Sequence, residues 1–271
     1  MPKKLIFNAD DYGRSAEVND AVEELVEAGR LRDVSVLANG ELLGSAVSFL
    51  QTNPQVSAGI HLNAVEGRPV SAAAEVELLT GENGEFAGLS KLMLRWIARP
   101  LAVSRAVEIE WRAQIEKLIA AKLSLSHADS HQHLHAFPPA WRIAVKLCRE
   151  YDIPALRLPL ERSSLPMRRA GAFGLSASLA VARLMSSSKG LHHNDHLLGC
   201  KRAGAYELTT LLDDLRAIPD GLTEIALHPS TADNFPYPTL FGNRERQNML
   251  DPSLPERLAE LGIELTTWSA L

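Results

Sequence analysis

Short unbroken apolar runs and longer stretches of helical spacing take turns along this chain. The short runs are Leu5-Ile6-Phe7, Val34–Ala38, Val56–Ile60, the segment from Leu125, Ala155–Pro159, Thr223–Leu227 and Ile263–Trp268. Lacking alternation, they read as strands buried on both faces. Between them lie predicted helices. Residues 15–28 put Val18, Val22, Leu25 and Val26 on one face, with Ser15 to cap the start and Gly29 to stop the end. Further helices are expected from Gly44 to Leu50, Leu92 to Ala121 with a break at Pro100, Trp141 to Tyr151, Tyr206 to Ile218 and Leu254 to Leu261. Residues 71–90 and the polar stretch Asp233–Asn248 read as loops. Strand–helix alternation without a Pro/Gly linker predicts one α/β domain over residues 1–271 with a parallel sheet. About seven such units suit a closed or nearly closed, TIM-barrel-like (β/α) barrel.

Polar residues then follow the strands in a recurring way. Asp10 and Asp11 follow the first, His61 the third, His127 lies in the fourth, Arg157 in the fifth, and His228 follows Leu227. In a parallel barrel those strand ends converge on one rim. The densest stretch is Leu125–Pro139, which holds His127, Asp129, His131, His133 and His135 at alternate positions. If it were all extended, these side chains would share a face, with His127 and His135 roughly 26 Å apart. One ion could not use the whole row. An exposed His-rich tract is the plainer reading of such a stretch; the interleaved Asp129 and the sharp end at Phe137-Pro138-Pro139 argue against it.

All nine histidines lie in four places: His61, the 127–135 row, the 192–196 cluster and His228. One Asp with two His suits a divalent ion that keeps positions open for water and substrate. Asp10 and Asp11 can divide the work, one ligating and the other acting as general base, while an imidazole across the site protonates a leaving group. This combination points to metal-assisted hydrolysis of an amide or ester. No Lys/Arg-rich phosphate loop adjoins the acids, which weighs against a phosphoesterase.

The totals narrow the setting. A net charge of −5 gives no electrostatic case for nucleic acid. Two cysteines form neither a disulfide framework nor a metal pattern. No signal-peptide core and no run of 18 apolar residues is present, so a cytoplasmic protein is expected. Residues 161–190 stand apart: Arg162, Arg168 and Arg169 precede the Ala- and Leu-rich stretch 170–185. That composition fits an ordinary core helix or a lipid-contacting insertion at the inner face of a membrane.

Asn8-Ala-Asp-Asp-Tyr-Gly13, Gly59-Ile-His-Leu62 and His127-Ala-Asp-Ser-His-Gln-His-Leu-His135 together resemble the three motifs of the YdjC-like carbohydrate deacetylases. Leu156–Glu161, His193–His196 and Thr223–Pro229 are most similar to the branch associated with hopanoid biosynthesis (HpnK). The resemblance implies an irregular (β/α) barrel holding one divalent ion, Mg²⁺ or Zn²⁺. It implies Asp11, His61 and His127 as metal ligands, Asp10 as base, His228 as acid, and Arg157 and Asp195 in support. Tyr12, Asp129, His131, His133, His135 and His196 are expected on the substrate side; the sequence does not divide metal support from substrate contact among these histidines. The implied reaction removes acetyl from an N-acetylglucosamine unit, on an N-acetylglucosaminyl hopanoid for this branch. A soluble chitooligosaccharide deacetylase shares the whole site. A non-catalytic, metal-dependent sugar- or lipid-binding protein is the alternative of another class. Peripheral membrane contact and homo-oligomer formation are both compatible with the sequence.

Overall fold

The first apolar run becomes the central strand of a sheet in which every pairing is parallel. The computed structural model describes residues 2–160, 187–199, 207–233 and 241–271. The segment 170–185, and with it most of the expected lipid-contacting insertion, lies outside the described residues. Eight strands are present among them: β1 (Lys3–Tyr12), β2 (Asp33–Val36), β3 (Ser57–Leu62), β4 (Leu125–Ser130), β5 (Ala155–Leu156), β6 (His196–Leu198), β7 (Gly221–Leu227) and β8 (Ile263–Leu265). Their order is β5-β4-β3-β2-β1-β7-β6, with β8 also paired to β1. The sheet curls into a half-barrel, which bears out the α/β, barrel-like expectation.

The helices pack outside this sheet. They are α1 (Ala16–Glu27), α2 (Leu43–Thr52), α3 (Leu89–Ala98), α4 (Pro100–Ala120), α5 (Pro138–Glu150), α6 (Leu208–Ala217), α7 (Gly242–Leu250) and α8 (Leu254–Glu260). In β1 the period of two sorts the side chains: Leu5, Phe7 and Ala9 join the large apolar core shared with the helices. Ile6 instead belongs to a small inner cluster with Ala155, Leu222 and Trp268. Asn8 and Asp10 follow Ile6 on the concave face, so the inner face is apolar low down and polar toward the rim. Gly59 has a specific reason there: a Cβ on it would lie 2.3 Å from His127 Nε2. Only glycine admits that ring.

Register explains how β1 serves three partners. Lys3 to Ala9 pair with Gly221 to Leu227 along one edge. On the other edge Lys3–Leu5 pair with β8, while Asn8, Ala9 and Tyr12 pair with β2. The chain's last described segment therefore fills the lower half of the barrel wall and puts Trp268 inside, its ring stacked on His127 at 5.5 Å. The free edges β5 and β6 are stitched by the segment between them. His192 N donates to Pro154 O at 2.9 Å, Leu156 N to His192 O at 3.0 Å, and Asn194 Nδ2 to Leu158 O at 2.9 Å.

Two expectations fail locally. The histidine row is not one extended face: β4 ends at Ser130, and His131–Ala136 form a tight turn with φ of 53° at both Gln132 and His133. The stretch Asp233–Asn248 is not all loop, because α7 forms within it. Its buried residues are Gly242, Glu245, Asn248 and Met249, so it shows no apolar stripe for a sequence reading to find.

Candidate metal centre and active site

The bend at the end of β1 creates the site. The β1–β2 register shifts between Ala9 and Tyr12, and Asp11 adopts φ 65°. Adjacent strand residues normally face opposite ways; this bulge lets Asp10 and Asp11 both face the rim. Tyr12 then turns outward. It is fully buried, and its hydroxyl donates to Glu23 Oε1 on α1 at 3.0 Å, so it packs behind the sheet and not against substrate.

Asp11 is the meeting point of two imidazoles. His131 Nδ1 lies 2.9 Å and His61 Nε2 3.3 Å from its Oδ1. The far nitrogen of each ring is held by a carboxylate: His61 Nδ1 is 2.7 Å from Asp129 Oδ1, and His131 Nε2 is 3.0 Å from Glu66 Oε2. Donor atoms of Asp11, His61 and His131 all lie within 4.8 Å of one another, as do those of Asp10, His61 and Asp129. A carboxylate behind each ligating imidazole is the arrangement that orients metal-bound histidines.

His127, expected as the third ligand, is not brought to this point. It is completely buried, with Nε2 3.1 Å from Ser35 Oγ, Nδ1 2.9 Å from Ser126 Oγ, and its face on Trp268. His131, just past the end of β4 at Ser130, takes its place. Asp129, expected on the substrate side, is also fully buried and serves His61 and Arg157. His135 lies under the rim, stacked on Trp141, with Nε2 3.1 Å from Arg157 O. His133 is half-buried beside it, ring centroids 6.4 Å apart.

Arg157 organises the other half of the site. Its five N–H donors are all spent: Nε and Nη2 on Glu224 Oε1 at 2.9 and 2.7 Å, Nη2 on Asp10 Oδ1 at 2.7 Å, and Nη1 on Asp10 Oδ2 at 2.8 Å and Asp129 Oδ2 at 2.6 Å. No donor remains for substrate, so Arg157 positions Asp10 and touches no reacting group. Asn8 Nδ2 adds a bond to Asp10 Oδ1 at 2.7 Å. His228 Nε2 stands 4.0 Å from Asp10 Oδ2, and its backbone N donates to Glu245 Oε2 at 2.7 Å.

Asp195 and His196 do not reach the rim. His196 is in register with Thr223, which pairs with Leu5. That is five residues before Asp10, roughly 16 Å down the strand. Asp195 is lower still, exposed, its carboxylate accepting from Leu222 N at 2.9 Å. It ties down the start of β7 and supports no chemistry at the other end.

Glu66, Glu224, Glu245 and Ser35 take part without having been singled out in the sequence. The only sequence signal for Glu66 is its place in the loop after a strand end. That loop is firmly set: Glu110, buried on α4, accepts from Val70 N at 2.8 Å and Ser71 N at 2.9 Å, and Gln114 Oε1 accepts from Asn63 N at 2.9 Å.

Acids outnumber bases here. Asp10, Asp11, Asp129, Glu66 and Glu224 face Arg157 and Arg14, the latter bridging Asp11 and Glu66. Burial alone would lower the His61 pKa, yet Asp129 and Asp10 push it up to about 10. Burial opposes ionisation of Asp11, and His131 nevertheless holds it well below the carboxylate range. Asp10 is likewise lowered: burial raises it, and the Arg157 charge outweighs that. Two imidazoles and a carboxylate in a net acidic pocket are a suitable donor set for a divalent cation, which would replace the protons now drawn to His61 and His131.

The YdjC-like protein family matches residues 4–260. The chain belongs to the YdjC-like family. Among relatives, a carbohydrate deacetylase of Oceanobacillus iheyensis is 37% identical over 151 residues, covering 56% of this chain and 63% of that protein. A carbohydrate deacetylase of Vibrio parahaemolyticus is 29% identical over 279 residues, covering 99% and 96%. The more identical alignments thus span about three fifths of the relatives' length. A crystal structure of an Enterococcus faecalis protein provisionally named for cellobiose-phosphate cleavage superposes with a TM-score of 0.77 at 23% identity, covering 99% of this chain and 98% of that one. It shares the fold.

Proposed function

We propose that this YdjC-like protein is a metal-dependent carbohydrate N-deacetylase, with Asp11, His61 and His131 holding the ion. The observation that carries the reading is the 4.0 Å gap between Asp10 Oδ2 and His228 Nε2 beside that donor set. A divalent ion supplies Lewis-acid polarisation of a carbonyl and makes nearby water more acidic. Asp10, kept ionised by Arg157 against the cost of burial, accepts the proton of the attacking water. His228, across the gap and 21% exposed at its side chain, delivers a proton to the departing amine nitrogen. Asp129 and Glu66 keep the two imidazoles aimed. The products are acetate and a free amino sugar.

The substrate we infer is an N-acetylglucosamine-bearing glycoside, and within that class an N-acetylglucosaminyl hopanoid. Support comes from the relatives named carbohydrate deacetylases and from the branch-like stretches Leu156–Glu161 and Thr223–Pro229. The test is acetate release from a panel of acetylated glycosides, hopanoid and chitooligosaccharide, with and without chelator. Asp10→Asn should keep the ion and lose about 10²–10⁴-fold in kcat. Near-normal turnover in that variant would remove Asp10 from the base role, and turnover of chitooligosaccharides alone would exclude the hopanoid.

A further inference from the structure

The corner between α3 and α4 differs from the rest of the described surface. Leu94, Ile97 and Leu101 are 69, 76 and 86% exposed, the three most exposed large hydrophobics among the described residues. Leu94 and Ile97 lie three residues apart on α3, and Leu101 opens α4 just past the bend at Arg99-Pro100. Single exposed apolar side chains are ordinary; three in succession are a patch.

Cations flank them along the chain, although Leu101 also shares a groove with Glu108 and Glu150 beside Arg142, Lys146 and Arg149. Lys91, Arg99 and Arg105 are exposed, and among the described residues none of them has an ion-pair partner. Arg95 donates to the carbonyls of Leu78 and Thr80 at 3.0 and 2.8 Å. No acid occurs between Glu85 and Glu108, although the whole chain carries −5. The segment from Phe86 to Val107 is therefore basic and apolar on an acidic protein.

Its position matters. Trp96 packs edge-on against Phe137 with centroids 5.2 Å apart, and Phe137 closes the turn that begins at His131. Phe86 N donates to Gly67 O at 2.8 Å, next to Glu66. The corner thus stands on the side of the molecule where the strands end and the metal centre opens.

We propose that the α3–α4 corner docks on an anionic phospholipid bilayer, with Leu94, Ile97 and Leu101 entering the headgroup region and Lys91, Arg99 and Arg105 meeting lipid phosphates. An apolar ridge with a basic collar is the composition of interfacial helices. Charge complementarity selects this occupant. A second copy meeting the corner about a twofold axis would bring the same cations face to face. Among the described residues no helix is long and apolar enough to cross a membrane, so the contact is peripheral. Docking here turns the site toward the membrane surface. The inference stands independently of the deacetylase reading.

The test is flotation of the full chain with vesicles of phosphatidylcholine alone and of phosphatidylcholine mixed with phosphatidylglycerol. The protein should float with the mixed vesicles only and be released by salt. Arg99→Gln and Arg105→Gln should each weaken partitioning about fivefold. The triple variant Leu94→Ser/Ile97→Ser/Leu101→Ser should weaken it at least about tenfold with thermal unfolding unchanged. Absence of flotation, equal flotation on neutral vesicles, or undiminished flotation of the triple variant would overturn the proposal. So would a wild-type dimer that the triple variant makes monomeric, because a second copy would then cover the patch.

Discussion

His61 and His131 sit among carboxylates, whereas His127, His133 and His135 come from the same stretch as His131 and sit near Arg157. Burial pushes all five rings toward neutrality. Asp129 and Asp10 overcome it at His61, and Asp11 does so at His131, whose pKa is raised. In the other group burial prevails: His127 falls to about 3 despite Asp129, His133 to about 3 with Arg157 adding to the effect, and His135 to about 4. The density of histidines along the chain therefore says little about which ones attract a cation. The acids behind them decide it.

The widest separation between the two groups should come from exchanging their members. His131→Ala is expected to weaken divalent-ion binding beyond the roughly 10–100-fold typical of losing a supporting residue, while His127→Ala leaves the affinity nearly intact and lowers stability. Calorimetric titration with Zn²⁺ and Mg²⁺ reads both. Equal losses in the two variants would erase the distinction between the neighbourhoods.

Next comes the cation that divides them. Arg157→Leu leaves Asp10, Asp129 and Glu224 buried together without their shared partner. A destabilisation of about 3–5 kcal/mol is expected in denaturant unfolding. Its relief at lower pH, where Glu224, already raised to about 7, is protonated, would tie the loss to unbalanced acids.

A third prediction concerns a carboxylate below the rim with no guanidinium bonded to it. Asp33 Oδ1 accepts from Trp268 N at 2.8 Å and its Oδ2 has no partner; burial lifts its pKa to about 7 despite that bond. The folded value lies above the unfolded one. The stabilisation is therefore complete below the unfolded value of 3.8 and is lost as pH rises through about 7. This amounts to a few kcal/mol between about pH 4 and 7. In Asp33→Asn that part of the pH slope should vanish in unfolding experiments. The smallest effect is expected from Glu66→Ala, roughly 10–100-fold in metal affinity, since it orients His131 and pairs with Arg14 without being one of the proposed ligands.

Much of this site was readable in the sequence for one physical reason. Strands buried on both faces are apolar throughout, so a polar residue at their end, such as Asp10, Asp11, His61 or His228, stands out. The third ligand was not readable, because His127 and His131 share one phase of the period of two and only the end of β4 at Ser130 shows that His131, four residues further on, is the one at the rim. Asp195 and His196 misled because a local motif does not reveal strand register, and here register leaves them at the wrong end of β6. The helix α7 stayed hidden because it buries Glu245 and Asn248, and Glu245 is the residue that holds the His228 backbone.

The Trp268 indole, stacked beneath His127 with its backbone held by Asp33, closes the floor of the half-barrel beside Ile6 of β1. During synthesis, a ribosome would have to release residues 263–268 before the strand made first gains its lower neighbour. A nascent chain stalled short of that tryptophan would carry every proposed ligand and still lack the surface that keeps their scaffold dry.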